Sequence, residues 1–174
     1  VSYVHDSQEL QGGDICFLLS CTRLVKKERL QLYRHNIVIH ASDLPRGKGF
    51  TPLKWQIIEG KNDIPITLFE AVEEMDAGNY YFKEIIHFEG HELLDELHEI
   101  MGNKICSMAM RYVLESESLI GIKQEGTETI YSRRTVEDDE LDISQSIESQ
   151  FNQLRIADNE RFPIWFRYRN HEYI

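Results

Sequence analysis

Two short apolar runs constrain the fold of this chain more than any other feature. Asp14 to Leu19 (DICFLL), preceded by Gly12-Gly13, and Asn36 to His40 (NIVIH) show no apolar–polar alternation. Runs of this length predict strands buried on both faces, in a sheet covered by helices. Between them Leu24, Val25, Leu30, Leu32 and Tyr33 fall at helical spacing, which predicts a short helix over 24–33. Strand, helix and strand in that order point to an α/β sheet with helices packed on it.

The rest of the chain extends the pattern. Pro52 to Glu59 predicts a helix, with proline at a favourable first-turn position. Ile64 to Val72 reads as a strand and Asn79 to Phe88 as its hairpin partner, with Asp76-Ala77-Gly78 in the turn. From His91 to about Leu114 the apolar residues recur at helical spacing, as in a long amphipathic helix covering one sheet face. Beyond it the character changes. Glu115 to Glu128 is polar, 144–156 predicts a helix, and Pro163 to Tyr168 opens a hairpin turning near Asn170. We therefore divide the chain into a core, 1–115, and an appended helix–hairpin segment, 116–174. Val1 to His5 reads as a strand, and the core is expected to lack an N-terminal strand–helix unit, which would leave a sheet edge open.

Charge and cysteine content narrow the classes. A net charge of −11, with basic residues only in small clusters (23–29, Arg133-Arg134, 161–169), disfavours a long nucleic-acid track and leaves room for a local phosphate pocket. Cys16, Cys21 and Cys106 have no metal-site spacing and read as thiols of a reducing compartment, so a cytoplasmic location is expected. No apolar run approaches the roughly 20 residues that span a bilayer.

The chemistry concentrates at His40. It stands at the carboxyl end of a predicted strand, where open α/β sheets place ligand-binding residues. The loop after it, with Pro45, Gly47, Gly49 and Pro52, is stiff at two positions and bare at two others, so a flat ligand can approach its backbone. Asp76, at the end of another predicted strand, is placed to converge on His40, and a carboxylate beside a histidine orients the ring and favours its charged form. Taken residue by residue, a satisfied polar histidine and a plain hairpin turn explain the same positions. Ser42 lacks the glycine neighbours of a nucleophile elbow. His87 and His91 are separated by Gly90 and do not share a helix face, so no metal site is expected.

The order and spacing of these residues resemble enzymes that transfer a formyl group from N10-formyltetrahydrofolate to an amine. That family carries Asn-x-His-x-Ser-x-Leu-Pro, then Gly and Pro, then Asp-x-Gly thirty-six residues after the histidine. His40, Ser42, Leu44, Pro45, Gly49, Pro52, Asp76 and Gly78 match, and Arg133-Arg134-Thr135, Asp138, Asp142, Leu154-Arg155 and Pro163 resemble the segment that follows the family's catalytic domain. The resemblance implies a Rossmann-like formyltransferase sheet, with His40 and Asp76 catalytic. It implies a folate site at Leu19, Ser20, Cys21, Ser42, Leu44, Pro45, Val72, Glu73, Glu74, Met75 and Asp76, and no metal. Val38 stands where the family has its asparagine, thought to hold the formyl oxygen as charge develops on it. Asn36 lies on the same strand face, roughly 13 Å from His40 along an extended strand. Gln56, Asn79 or a backbone N–H are the other candidate donors, and Phe50 stands where some relatives have an arginine. The short, acidic chain favours a nucleotide-linked amino sugar as acceptor over methionyl-tRNA, and leaves a homodimer open. Transfer to water and a non-catalytic relic of the folate fold are the rival readings.

Overall fold

The computed structural model describes residues 1–21 and 23–174. Both apolar runs form strands: β1 (Gly13–Phe17) and β2 (Tyr33–His40), joined through a single helical turn, α1 (Lys27–Leu30). After the Pro/Gly loop come a two-residue strand β3 (Lys48–Gly49), helix α2 (Pro52–Ile58), strands β4 (Asp63–Glu70) and β5 (Tyr80–His87), and the long helix α3 (Leu94–Glu115). The main sheet has the order β1-β2-β4-β5, with β1 and β2 parallel and β4 antiparallel to both neighbours. Alternation along the strands sends Ile37, Ile39, Ile66 and Leu68 into one core with Leu53 and Ile57 of α2 and Leu97, Met108 and Tyr112 of α3. Each such side chain, fully buried, contributes about 1.5–3 kcal/mol.

Four expectations are corrected. β1 is an edge strand among the described residues, with Cys16 buried on one face and Ile15 and Phe17 only partly buried on the other, so its apolar run is less covered than expected. The helix over 24–33 shrinks to one turn because Leu32 and Tyr33 already belong to the sheet: Gly13 N–H bonds Leu32 C=O, and Tyr33 opens β2. Val1 to His5 pairs with no strand among the described residues and leads into a 3-10 turn, Ser7–Glu9, capped by Asp6. The helix over 144–156 contracts to a 3-10 turn, Glu148–Gln150, and α4 (Phe151–Arg155). There the serine and aspartate side chains bind nearby backbone in place of helix: Asp142 accepts from Ser144, and Ser146 accepts from Ser149.

The C-terminal part contributes β6 (Ile130–Tyr131), paired parallel with β3, and a small sheet of β7 (Glu140–Leu141), β8 (Trp165–Tyr168) and β9 (His171–Tyr173). The last two strands form the expected hairpin, turning at Arg169-Asn170. α4 docks on α2, and Arg155 from α4 is buried against the start of α3. No helix among the described residues is long and apolar enough to cross a membrane.

Candidate active site

β2 carries Val38 and His40 on the face opposite Ile37 and Ile39, which point to α3. The His40 side chain is nine-tenths buried, with Nε2 2.8 Å from the carbonyl oxygen of Gly47 and 3.9 Å from Oδ2 of Asp76. A carbonyl only accepts, so Nε2 carries a proton and the neutral ring keeps Nδ1 as its lone-pair nitrogen.

Asp76 reaches His40 by a route the sequence did not indicate. β4 runs antiparallel to β2, with Glu70 opposite Ile37, so its carboxyl end lies three residues back from His40. The 71–79 segment then doubles back along β2, starting from the bond of Ala71 N–H to Asn36 C=O. Asp76 sits in the left-handed region (φ 51°), and its Oδ2 accepts the Gly49 N–H at 2.9 Å. Gly78 is required by close approach: a Cβ there would lie 1.7 Å from the Glu70 carbonyl oxygen.

Both halves of the site are held by the polar 120–132 segment, whose lack of periodicity hid its role. Thr129 accepts from Gly47 N–H through Oγ1 and from Lys48 N–H through its carbonyl, and Tyr131 C=O accepts from Phe50 N–H. Trp55 Nε1 donates to Ser132 C=O, and the ammonium of Lys48, itself buried, pairs with Glu128 at 2.6 Å. Gln124 Nε2 donates to the carbonyls of Asp76 and Gly78. Nothing local in the sequence marks Gln124 or Thr129.

A cleft of about 190 Å³ opens above His40 and Asp76, walled by Leu18, Val38, Phe50 and Phe69. Of the residues expected to bind folate, Ser20, Cys21, Val72, Glu74, Met75 and Asp76 border it. Leu19, Ser42, Leu44, Pro45 and Glu73 do not. Leu18 takes the inward place and Leu19 turns to solvent, as alternation requires. Ser42 is buried, its carbonyl bonded to Thr67 Oγ1; Pro45 is buried in the loop; Leu44 faces a separate hollow beside Tyr80 and Lys83; Glu73 pairs with Lys27 at the surface. Partial desolvation at the cleft wall pushes the Cys21 thiol up, so it stays a neutral wall group.

The three side-chain amides named as substitutes for the missing asparagine are engaged or turned away. Asn36 donates to Leu30 C=O, Gln56 to Ala41 C=O and Pro52 C=O, and Asn79 is exposed beside Gly121. Beside Phe50, the Arg133 guanidinium stacks 4.4 Å from the ring centroid, bringing a cation to the cleft rim. Among the described residues no group of three His, Cys, Asp or Glu side chains is placed to hold a metal ion; His87 pairs with Asp63.

Residues 3–104, more than half the chain, match the family model described as formyl transferase. This chain belongs to that family. A methionyl-tRNA formyltransferase of Mycoplasma capricolum is 28% identical over 145 residues, covering 80% of this chain and 46% of that protein. The chain spans a little under half the length of the curated relatives it matches. Two solved structures share the fold. HypX from Aquifex aeolicus in complex with tetrahydrofolic acid superposes with a TM-score of 0.77 at 18% identity, over 95% of this chain and 29% of that one. The formyltransferase PseJ from Anoxybacillus kamchatkensis, in complex with UDP-4,6-dideoxy-4-formamido-L-AltNAc and tetrahydrofolate, gives 0.59 at 18% identity, over 68% and 64%. The α/β formyltransferase architecture expected from the motifs is the one observed. The expectation from net charge that tRNA is an unlikely acceptor is not supported by the relatives, which include methionyl-tRNA formyltransferases.

Proposed function

We propose that this chain transfers a formyl group from N10-formyltetrahydrofolate to the primary amine of a nucleotide-linked amino sugar. The observation that carries the reading is the meeting of His40 and Asp76, 3.9 Å apart, at the floor of an apolar-walled cleft. At about 190 Å³ the cleft is smaller than the ~300–1,000 Å³ of pockets that enclose drug-sized ligands. It suits the flat pterin head of a folate between Leu18, Val38 and Phe69, with the tail outside. The folate supplies the formyl carbon and the nitrogen that leaves it.

His40 has two roles. Its Nε2–H, now on the Gly47 carbonyl, is the N–H that can turn to the formyl oxygen as charge grows there. Nδ1 can take the proton of the attacking amine and give it to the folate nitrogen as its bond to the formyl carbon breaks. Asp76 stabilises the ring once charged, and the Gly49 N–H fixes its carboxylate. Val38 supplies no donor, so this oxyanion site rests on His40 and the backbone, which implies slow turnover.

The sugar acceptor is supported by the likeness in fold to a sugar formyltransferase and by the few, small basic clusters of a chain with net charge −11. The names of the sequence relatives favour the second reading, methionyl-tRNA. The deciding assay measures tetrahydrofolate release with nucleotide-linked amino sugars, with methionyl-tRNA, and with neither, using His40→Ala as control. Release that needs the sugar and is lost in the variant is the expected result. Release only with tRNA selects the second acceptor, and release with neither selects hydrolysis. Folded protein that neither binds folate nor releases product overturns the enzyme reading in favour of a relic.

A further inference from the structure

We infer that Gln124 is a positioning residue, which keeps the Asp76 carboxylate on His40 by clamping the backbone on both sides of Ala77. The inference rests on the reading of His40 and Asp76 as the catalytic pair. Asp76 occupies the left-handed region at φ 51°, and a non-glycine residue held in such a region costs of order 1–3 kcal/mol unless its surroundings impose it. The Gln124 amide nitrogen donates to the Asp76 carbonyl at 2.9 Å and to the Gly78 carbonyl at 2.7 Å, so both its N–H groups are spent on this one turn. Gln124 is itself anchored two residues earlier, where Ile122 and Tyr80 exchange both backbone hydrogen bonds.

The other end of the amide argues the same way. Gln124 Oε1 is buried and has no hydrogen-bond partner among the described residues. Leaving an amide oxygen so placed costs about 1–3 kcal/mol, a penalty that an apolar side chain of similar length would avoid. What an amide adds here is its pair of donors. The distance from Asp76 Oδ2 to His40 Nε2 is 3.9 Å, beyond a direct hydrogen bond, so a small relaxation of the turn removes the carboxylate from the ring. Among the described residues, the Gly49 N–H would remain to oppose it.

The test is a double-mutant cycle with a spectroscopic arm. Gln124→Met keeps length and removes both donors; Asp76→Ala removes the group acted on. We expect Gln124→Met to lower kcat by about ten- to a hundredfold, the scale of a catalytic group misplaced by about 1 Å. The KM for the amine should stay within about threefold, as expected when an interaction made only in the transition state is lost. On the Asp76→Ala background the same change should have no further effect on kcat, because the two act as one unit. In parallel, the ¹⁵N signals of the His40 ring should move in the same direction in Gln124→Met as in Asp76→Ala. A kcat within twofold of wild type overturns the inference, and so does an equal loss on both backgrounds. Ring signals that move in Asp76→Ala and stay fixed in Gln124→Met also overturn it, even if no acceptor supports turnover. A wild-type protein that binds no folate and transfers no formyl group fails the functional reading instead.

Discussion

Replacing Arg155 with methionine should cost this protein a large fraction of its stability. The guanidinium is 1% exposed and makes four hydrogen bonds: Nε to the Glu92 carbonyl, Nη2 to Glu92 Oε2, and Nη1 to Oδ1 of Asn62 and of Asn152, all between 3.0 and 3.1 Å. It ties α4 to the start of α3 and to the turn before β4. Methionine fills the volume but leaves the Glu92 carboxylate buried without its cation, and breaking a buried pair in this way costs about 3–5 kcal/mol. Against a total of 5–15 kcal/mol, that is a drop in Tm of roughly 10 °C. Acid supplies an independent check. Burial pushes the Glu92 carboxyl up, but the backbone N–H groups of Glu89, Glu92 and Gly90, and then the charge of His91, outweigh it and hold the group at about 2. Its ordinary value is 4.5, so the unfolded chain takes the proton first. The stabilisation, about 3 kcal/mol, is therefore full above pH 4.5 and fades as pH falls toward 2. Protonation relieves the unpaired carboxylate of the variant sooner, so the stability gap between the two proteins should narrow between pH 7 and pH 3. Urea denaturation at both pH values measures it. A loss under 1 kcal/mol at pH 7, or a gap that does not narrow in acid, would refute the account.

Other predictions follow from single contacts. Gly78→Ala places a methyl 1.7 Å from the Glu70 carbonyl oxygen and must move the Asp76 turn; we expect kcat to fall at least a hundredfold in folded protein, and activity within threefold would count against it. Val38→Asn puts a donor two residues before His40 on the cleft wall and should raise kcat about tenfold, a part of what one oxyanion donor supplies; an unchanged kcat would mean a backbone group already serves. Burial, followed by the neighbouring Tyr112 hydroxyl and the hydrogen bond to Glu70 for Tyr81 and by the hydrogen bond to Glu59 for Tyr131, pushes both phenols well up. Since each folded value lies above the unfolded one near 10, their stabilisation is complete below pH 10 and is lost as pH rises beyond it. Absorbance titration should show these two ionising after the exposed tyrosines or only on unfolding, and a single shared transition in native protein would contradict it.

Much of the architecture was legible because its causes are local. The run NIVIH has one reading as a buried strand, Pro52 opens a helix whose pattern ends at Ile58, and the spacing of Leu94, Leu97, Met108 and Tyr112 makes α3 amphipathic. The convergence of His40 and Asp76 was legible as well, through residue types and a thirty-six-residue interval. The errors share a physical cause. How fully DICFLL is buried depends on what packs over each face of the sheet and on whether a further strand lies beside it, and Val1 to His5 can be a strand only beside a partner. Leu19 and Leu18 exchanged places because a slip of one residue in an extended chain reverses every side chain. The tertiary structure alone decided how His40 and Asp76 meet, since β4 runs away from His40 and only the fold-back of 71–79 returns Asp76 to it. It alone recruited Gln124 and Thr129, whose polar surroundings carry no periodicity and whose partners lie 46 to 82 residues away. Patterning specifies which face of an element is apolar, but the hydrogen bonds that aim a carboxylate at a ring form only after distant segments have packed.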